Sequence, residues 1–175
     1  FCLSRGLGDV YKRQLYDLTS LQREANGRFG FSAKTTLALA QTLYERHKAL
    51  TYPRTDSRYL PEDYITTVQE TMRALAKGGS NAVGGLARHA DTVVSQQWVK
   101  PNRRIFDNKK VSDHFAIIPT LQIPHDLSEA EAKLYDLVLK RFLAVFFPAA
   151  EYRVTTRLTE VQGHRFRTDG KVLVT

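Results

Sequence analysis

Apolar residues recur at two different intervals along this chain, and the change from one to the other divides it. Up to about Pro148 the interval is helical. Leu37, Ala40, Tyr44 and His47 repeat with Leu39 and Leu43 beside them; Tyr64, Val68, Met72 and Leu75 repeat again, and so do Leu134, Val138, Phe142 and Val145. Side chains three or four residues apart share a helix face, so each run predicts an amphipathic helix with its stripe in the core. The punctuation agrees. Thr19 and Gln22 form a capping box for a short helix that stops near Asn26-Gly27, Ser32 caps the second helix, and Ser128 with Glu131 caps the last. Pro61-Glu62-Asp63 makes the first turn of a third helix, with its carboxylates where the helix dipole favours them, and Gly78-Gly79 ends that run. Leu86 to Val94 is a candidate for one more. From Tyr152 the interval drops to two: Tyr152, Val154, Thr156 and Leu158 alternate, Gly163 punctuates, and Phe166 alternates again before Asp169-Gly170 and Val172. That pattern predicts an antiparallel ribbon. The fold class is therefore α+β, a helix-dominated domain followed by the start of an antiparallel β domain.

Composition narrows the setting. The 175 residues, 42% of them hydrophobic, suffice for one domain with a core, or one domain and a piece of another. No apolar run approaches membrane-spanning length. The formal charge of +8 and the pI near 9.7 favour a polyanionic partner. Cys2 is the only cysteine, which excludes an internal disulfide framework and a Cys-based zinc site and is compatible with a reducing cytoplasm.

The densest chemistry lies in Leu50-Thr-Tyr-Pro-Arg-Thr-Asp-Ser-Arg-Tyr59. Pro53 pushes Tyr52 out of the helical region, and side chains two apart on an extended segment share a face. Tyr52, Arg54 and Asp56 can thus converge on one ligand. A free phenol ionises near pH 10, roughly; a neighbouring guanidinium favours the phenolate and steadies charge on a phosphoryl group. Phosphoryl transfer to tyrosine needs that pairing. The same residues also fit a polar turn in which Asp56 or Ser57 caps the next helix. Lys100-Pro-Asn-Arg-Arg104 with Lys109-Lys110 reads either as a solvated basic loop or as a phosphate contact, and it leads into His114.

Four blocks, in order, resemble the type IA DNA topoisomerases: Leu15 to Asn26, Phe31 to Glu45, the Tyr52 segment, and His114-Phe-Ala-Ile-Ile-Pro-Thr120. The Tyr-Pro-Arg-Thr-Asp wording is most similar to the bacterial topoisomerase III branch. The family more commonly has an acidic residue after the histidine and an arginine before the proline; here these are Phe115 and Ile118. The resemblance implies that residues 15–148 are the cleavage–religation domain and residues 149–175 part of the β-rich gate, or arch, whose partner strands lie beyond Thr175. Residues 1–14 fall outside it and look like translated adapter sequence. It further implies a nucleophilic Tyr52 that forms a 5′-phosphotyrosine in single-stranded DNA without ATP. Arg54 and His114 would contact phosphate, and Asp56 would orient Arg54 or its neighbours. Thr55 and Ser57 would support them, in a DNA-binding set with Arg58, Arg103, Arg104, Lys109 and Lys110. The family's Mg²⁺ site and acid–base lysine belong to a Toprim domain, so this chain is expected to hold no metal and to sustain no catalysis alone. The implied partners are single-stranded DNA and the other domains of the same polypeptide, in a monomer located in the bacterial cytoplasm at the nucleoid. Two other classes share features with this reading. A tyrosine recombinase needs several arginines and histidines around its phosphate, and a relaxase needs a histidine cluster on metal, whereas the five histidines here are scattered. A single-stranded-DNA-binding remnant without catalysis fits the charge and the helices equally.

Overall fold

The structure, a computed structural model, describes residues 14–78, 84–148 and 152–174. Apart from Gln14, the residues read as a leader lie outside the described ones, and so does Gly79. Gln14 itself belongs to the helical body: its side chain donates to the Tyr59 hydroxyl at 2.9 Å, and its carbonyl accepts from Arg141 at 3.3 Å.

The first helix, α1, spans Leu18–Phe29 and begins one turn-defining residue pair earlier than the Thr19–Gln22 box predicts. Asp17 is the N-cap. Its carboxylate accepts from the Ser20 N–H at 2.6 Å, and the Ser20 hydroxyl accepts in return from the Asp17 N–H at 3.2 Å. The helix also runs through Asn26-Gly27 and stops at Gly30, which is left-handed at φ 70 and donates to the Asn26 carbonyl. A helix end needs a left-handed residue, and glycine supplies one without a Cβ clash; Gly27 faces no such demand and stays helical.

Helix α2, Ala33–Glu45, is capped by Ser32 as expected. Its buried line is Thr36, Ala40 and Leu43: Ala40 belongs to the predicted stripe and Leu43 was expected beside it, whereas Leu37 and Tyr44 are half-buried. The small side chains of Thr36 and Ala40 face the core. Thr36 tolerates burial because its hydroxyl bonds back to the Ser32 carbonyl at 3.0 Å. Tyr44 is consequently left half-buried at the surface.

A short 3-10 turn at Glu62–Tyr64 leads into α3, Ile65–Ala76, which buries Val68, Met72 and Leu75. Helix α4, Ala87–Ser95, packs on α3 through Ala90 and Val93. Helix α5, Glu129–Ala144, has the Ser128–Glu131 box formed in both directions. It is buried on most of its circumference, through Leu134, Tyr135, Leu137, Val138, Leu139 and Phe142. Contacts with α1, α2 and α4 make it the helix the others lean on. At its far end, Arg104 donates to the otherwise open Val145 carbonyl at 2.8 Å.

The second unit is the predicted ribbon. Strands β1, Tyr152–Val161, and β2, His164–Leu173, pair antiparallel from Tyr152↔Leu173 to Val161↔His164. Gln162 (φ 51) and Gly163 (φ 77) are both left-handed, the conformation a two-residue hairpin turn requires. Asp169-Gly170 lies within β2, where Asp169 accepts from the Thr156 hydroxyl across the ladder at 2.6 Å.

The two glycines of the first helix region should respond with opposite signs. No atom lies within 4 Å of a Cβ built at either Gly27 or Gly30. Gly30→Ala is expected to cost about 1–2 kcal/mol through its left-handed backbone alone, and Gly27→Ala to gain about 0.5–1 kcal/mol. Urea midpoints of the two variants check both.

Candidate active site

Helix α2 delivers the Tyr52 segment. Past its end Lys48 takes a left-handed conformation (φ 54), which turns the chain into an extended run from Ala49 to Leu60. Backbone bonds stitch this run to the His114 block: Thr120 N–H to Ala49 carbonyl at 3.0 Å, Thr51 N–H to Ile118 carbonyl at 3.0 Å, and Ala116 N–H to Tyr59 carbonyl at 3.0 Å. A third strand of chain joins on, with Ile117 N–H bound to the Tyr16 carbonyl at 2.8 Å and Leu18 N–H to the Thr55 carbonyl at 2.9 Å.

Burial alternates along the run. Thr51, Pro53, Thr55 and Ser57 are buried, whereas Tyr52 and Arg58 are half-buried and Arg54 and Asp56 are exposed. The buried hydroxyls serve the crossing backbone. Thr51 Oγ1 donates to the Ala116 carbonyl and accepts from the Ile118 N–H, each at 2.9 Å. Thr55 Oγ1 donates to the carbonyl of His114 at 3.1 Å, and Ser57 Oγ donates to that of Lys110 at 2.9 Å. Thr55 and Ser57, expected among the DNA-facing residues, therefore face inward, because their hydroxyls satisfy carbonyls that would otherwise be buried without a partner. Supporting the His114 and Lys110 segments is the role their geometry fits.

The outward face gathers the chemistry. The Tyr52 ring sits 4.3 Å from the His114 ring and 5.5 Å from the Tyr44 ring, which meets it edge-on at 78°. Lys48 Nζ is 5.8 Å from the centroid of Tyr44. Two rings thus restrain the orientation of a phenol whose hydroxyl has no hydrogen-bond partner among the described residues. Arg54 is exposed and likewise makes no ion pair or hydrogen bond among them. Asp56 does not pair with Arg54; it accepts a long bond from Ser112 Oγ at 3.4 Å, two residues from His114. Tyr44 is the site residue that periodicity missed, since an aromatic at helical spacing reads as core; its place immediately before the segment was the available signal.

The predicted basic set divides. Arg58 is bound to Asp17 at 2.7 Å, which ties the Tyr52 segment to the cap of α1. Burial pushes the Asp17 carboxyl up, but hydrogen bonds from Ser20 and Arg58 outweigh it and hold the group below its ordinary value. Lys110 lies 4.6 Å over the Tyr59 ring and 3.2 Å from its hydroxyl. Arg104, expected to face DNA, is turned to the end of α5, where burial lowers its pKa. Arg103 and Lys109 are exposed. His47 follows the C-cap of α2, as expected, with Nε2 3.5 Å from Glu131.

Beneath the site, Tyr16, Glu24 and Arg141 form a closed network. Tyr16 donates to Glu24 at 2.5 Å and accepts from Arg141 at 3.2 Å; Arg141 also binds Glu24, and its guanidinium lies 4.4 Å over the Tyr16 ring. Burial, then the bond to Glu24, pushes the Tyr16 phenol well up. For Glu24, burial alone would raise the pKa, yet Tyr16, Arg141 and Arg28 together hold it below its ordinary value.

A sequence profile of the DNA topoisomerase family matches residues 8–175. The chain belongs to the DNA topoisomerase family. The match takes in residues 8–14, which the four-block resemblance leaves out. DNA topoisomerase 3 of Bacillus cereus is 49% identical over 162 residues, 91% of this chain and 21% of the relative. DNA topoisomerase 3 of Bacillus subtilis is 45% identical over 161 residues, with the same coverage. These relatives bear out the topoisomerase III-like, type IA resemblance, and this topoisomerase-family chain spans about a fifth of their length (21%). Full-length topoisomerase I from Thermotoga maritima shares the fold, with a TM-score of 0.61 at 23% identity, over 98% of this chain and 27% of that one. Among the described residues, no three His, Cys, Asp or Glu side chains gather as a metal site would require.

Acid should loosen this site's foundation. Asp17 and Glu24 are held below their ordinary values of 3.8 and 4.5, so the unfolded chain takes up their protons more readily. Their stabilisation is complete above about pH 5 and is lost as the pH falls through the folded-state values. Urea midpoints measured from about pH 7 downwards should decline below about pH 5, and less steeply in Glu24→Gln, which starts from a lower neutral value. An equally steep decline in that variant would contradict the network's part in it.

Proposed function

We propose that Tyr52 is the nucleophile with which the complete protein cleaves and rejoins single-stranded DNA, changing DNA topology without ATP. The observation that carries this reading is the Tyr52 phenol itself: oriented between the rings of Tyr44 and His114, with no hydrogen-bond partner for its hydroxyl among the described residues, and two residues from Arg54, which has no partner among them either.

In this reading the Tyr52 oxygen attacks the phosphorus of a phosphodiester. The bond from phosphorus to the 3′ oxygen breaks, the phenol proton passes to solvent water, and the leaving oxygen takes a proton from solvent to become a 3′-hydroxyl. The strand's 5′ phosphate is now esterified to tyrosine. Because one phosphodiester has replaced another, the reverse attack by the 3′-hydroxyl restores the strand with no external energy. Arg54 positions the phosphate and balances its charge in the transition state. His114 donates an N–H to a non-bridging oxygen. Asp56 orients the His114 segment through Ser112; a carboxylate aimed at the phosphate itself would repel it.

The cofactor and partners follow from the same reading. Mg²⁺ serves the complete enzyme from residues outside this chain, and the remaining domains of the polypeptide close around the strand. The enzyme acts as a monomer in the bacterial cytoplasm, at the nucleoid. Full-length protein carrying Tyr52→Phe is expected to yield no covalent DNA adduct after a denaturing quench while binding single-stranded DNA normally. Arg54→Ala should slow adduct formation by about 10²–10³-fold. An adduct persisting in the Phe variant would overturn the assignment, and wild-type protein that binds DNA but never forms an adduct would leave the non-catalytic remnant as the better reading.

A further inference from the structure

Helices α3 and α4 enclose a cleft of about 310 Å³ that shares no lining residue with the Tyr52 site. Its apolar lining is the half-buried Val94 together with Met72, Val93 and Val99, all three buried. Its rim carries two cations, Arg73 and Lys100, and two amides, Gln97 and Gln69, the latter donating a long bond from Nε2 to the Val99 carbonyl at 3.4 Å and keeping its Oε1 as an acceptor, with no acidic residue in the lining. Arg73 and Lys100 are exposed, and neither side chain has an ion-pair or hydrogen-bond partner among the described residues.

Gln97 reaches the lining from the end of α4. The C-terminus of α4 closes with Trp98 N–H to the Val93 carbonyl and Gln97 N–H to the Val94 carbonyl, each at 3.1 Å. That pair of bonds requires a left-handed residue at position 97, the place glycine normally fills. Here a glutamine holds it at φ 52, at a cost in backbone strain, and its side chain lines the cleft.

We propose that this cleft is a second DNA contact, which holds one nucleotide of a single strand: the base on Val94 and Val99, its edge met by the amides of Gln69 and Gln97, and its flanking phosphates on Arg73 and Lys100. An apolar floor with convergent polar groups suits a ring system. Cations at the rim suit phosphate, and glutamine amides, which both donate and accept, suit a base edge better than an acidic side chain. The proposal rests on the reading of the partner as DNA but not on Tyr52 chemistry.

The test is a titration of this chain with a short oligothymidylate, followed through the methyl signals of Val94 and Val99 and the ring signals of His114. Both sets should shift. In Arg73→Ala/Lys100→Ala the valine shifts should vanish while the His114 shifts remain. Affinity at low salt should fall by about tenfold and the salt dependence of log K by about 1.4, the value for two phosphates of a single strand. Gln97→Gly should weaken the valine shifts while leaving the melting temperature unchanged or higher, which separates a binding role from a structural one. Shifts confined to His114 would overturn the cleft and leave the Tyr52 reading intact, whereas shifts at neither place would overturn the cleft and the reading of DNA as this chain's own partner. Saturation of the valine shifts by thymidine monophosphate at the oligonucleotide's own concentration would overturn the strand assignment in favour of a free nucleotide. Equal displacement by polyglutamate would overturn it in favour of simple charge capture.

Discussion

The hydroxyl of Thr51, wholly inside the protein, joins two stretches of chain that lie far apart in sequence. It donates to Ala116 and accepts from Ile118, while the Thr51 N–H donates to Ile118 as well. Three bonds at one residue fix the register between the Tyr52 run and the His114 run. A slip of one residue along either would turn Tyr52 inward and Pro53 outward, because side chains on an extended segment alternate. The proximity of the Tyr52 and His114 rings, 4.3 Å apart, follows from that register. Thr55 and Ser57 repeat the device further along, each with its hydroxyl on a carbonyl of the neighbouring segment. The run reads as polar because its inner face binds backbone and its outer face remains open to solvent and ligand.

Much of this was legible beforehand. Pro53 forces extension on Tyr52, and the period of two then separates Tyr52, Arg54 and Asp56 from their buried neighbours, as the burial pattern bears out. Ser32 and the Ser128–Glu131 box mark their helices correctly because a cap is a local matter of three or four residues. What escaped depends on distant partners. Arg58 reads as a free cation until Asp17, 41 residues away, is seen beside it. Arg104 reads as part of a basic loop until the end of α5 supplies a carbonyl. Tyr44 fits an apolar stripe with Ala40, yet Thr36 and Leu43 take the core beside Ala40 and leave the Tyr44 ring against Tyr52.

Positive charge here does two kinds of work. Arg58, Arg104 and Arg141 are committed to a cap, a helix end and a buried network, and their removal would loosen the scaffold. Arg54, Arg103, Lys109, Arg73 and Lys100 are exposed and carry the surface charge that draws a polyanion. The separation divides the labour: the committed cations hold backbone that positions Tyr52, and the exposed ones face solvent. Tyr16 shows the link directly. Its side chain belongs to the Glu24–Arg141 network, while its carbonyl binds Ile117 in the very segment that presents His114.

The most direct measurement is to quench the full-length protein on single-stranded DNA with denaturant, digest both components, and locate the nucleotide-bearing peptide by mass spectrometry. The account predicts a nucleotide esterified through its 5′ phosphate to Tyr52, with no modification of Tyr44, the neighbouring phenol. A nucleotide on Tyr44 or any other residue, or one linked through a 3′ phosphate, would contradict it.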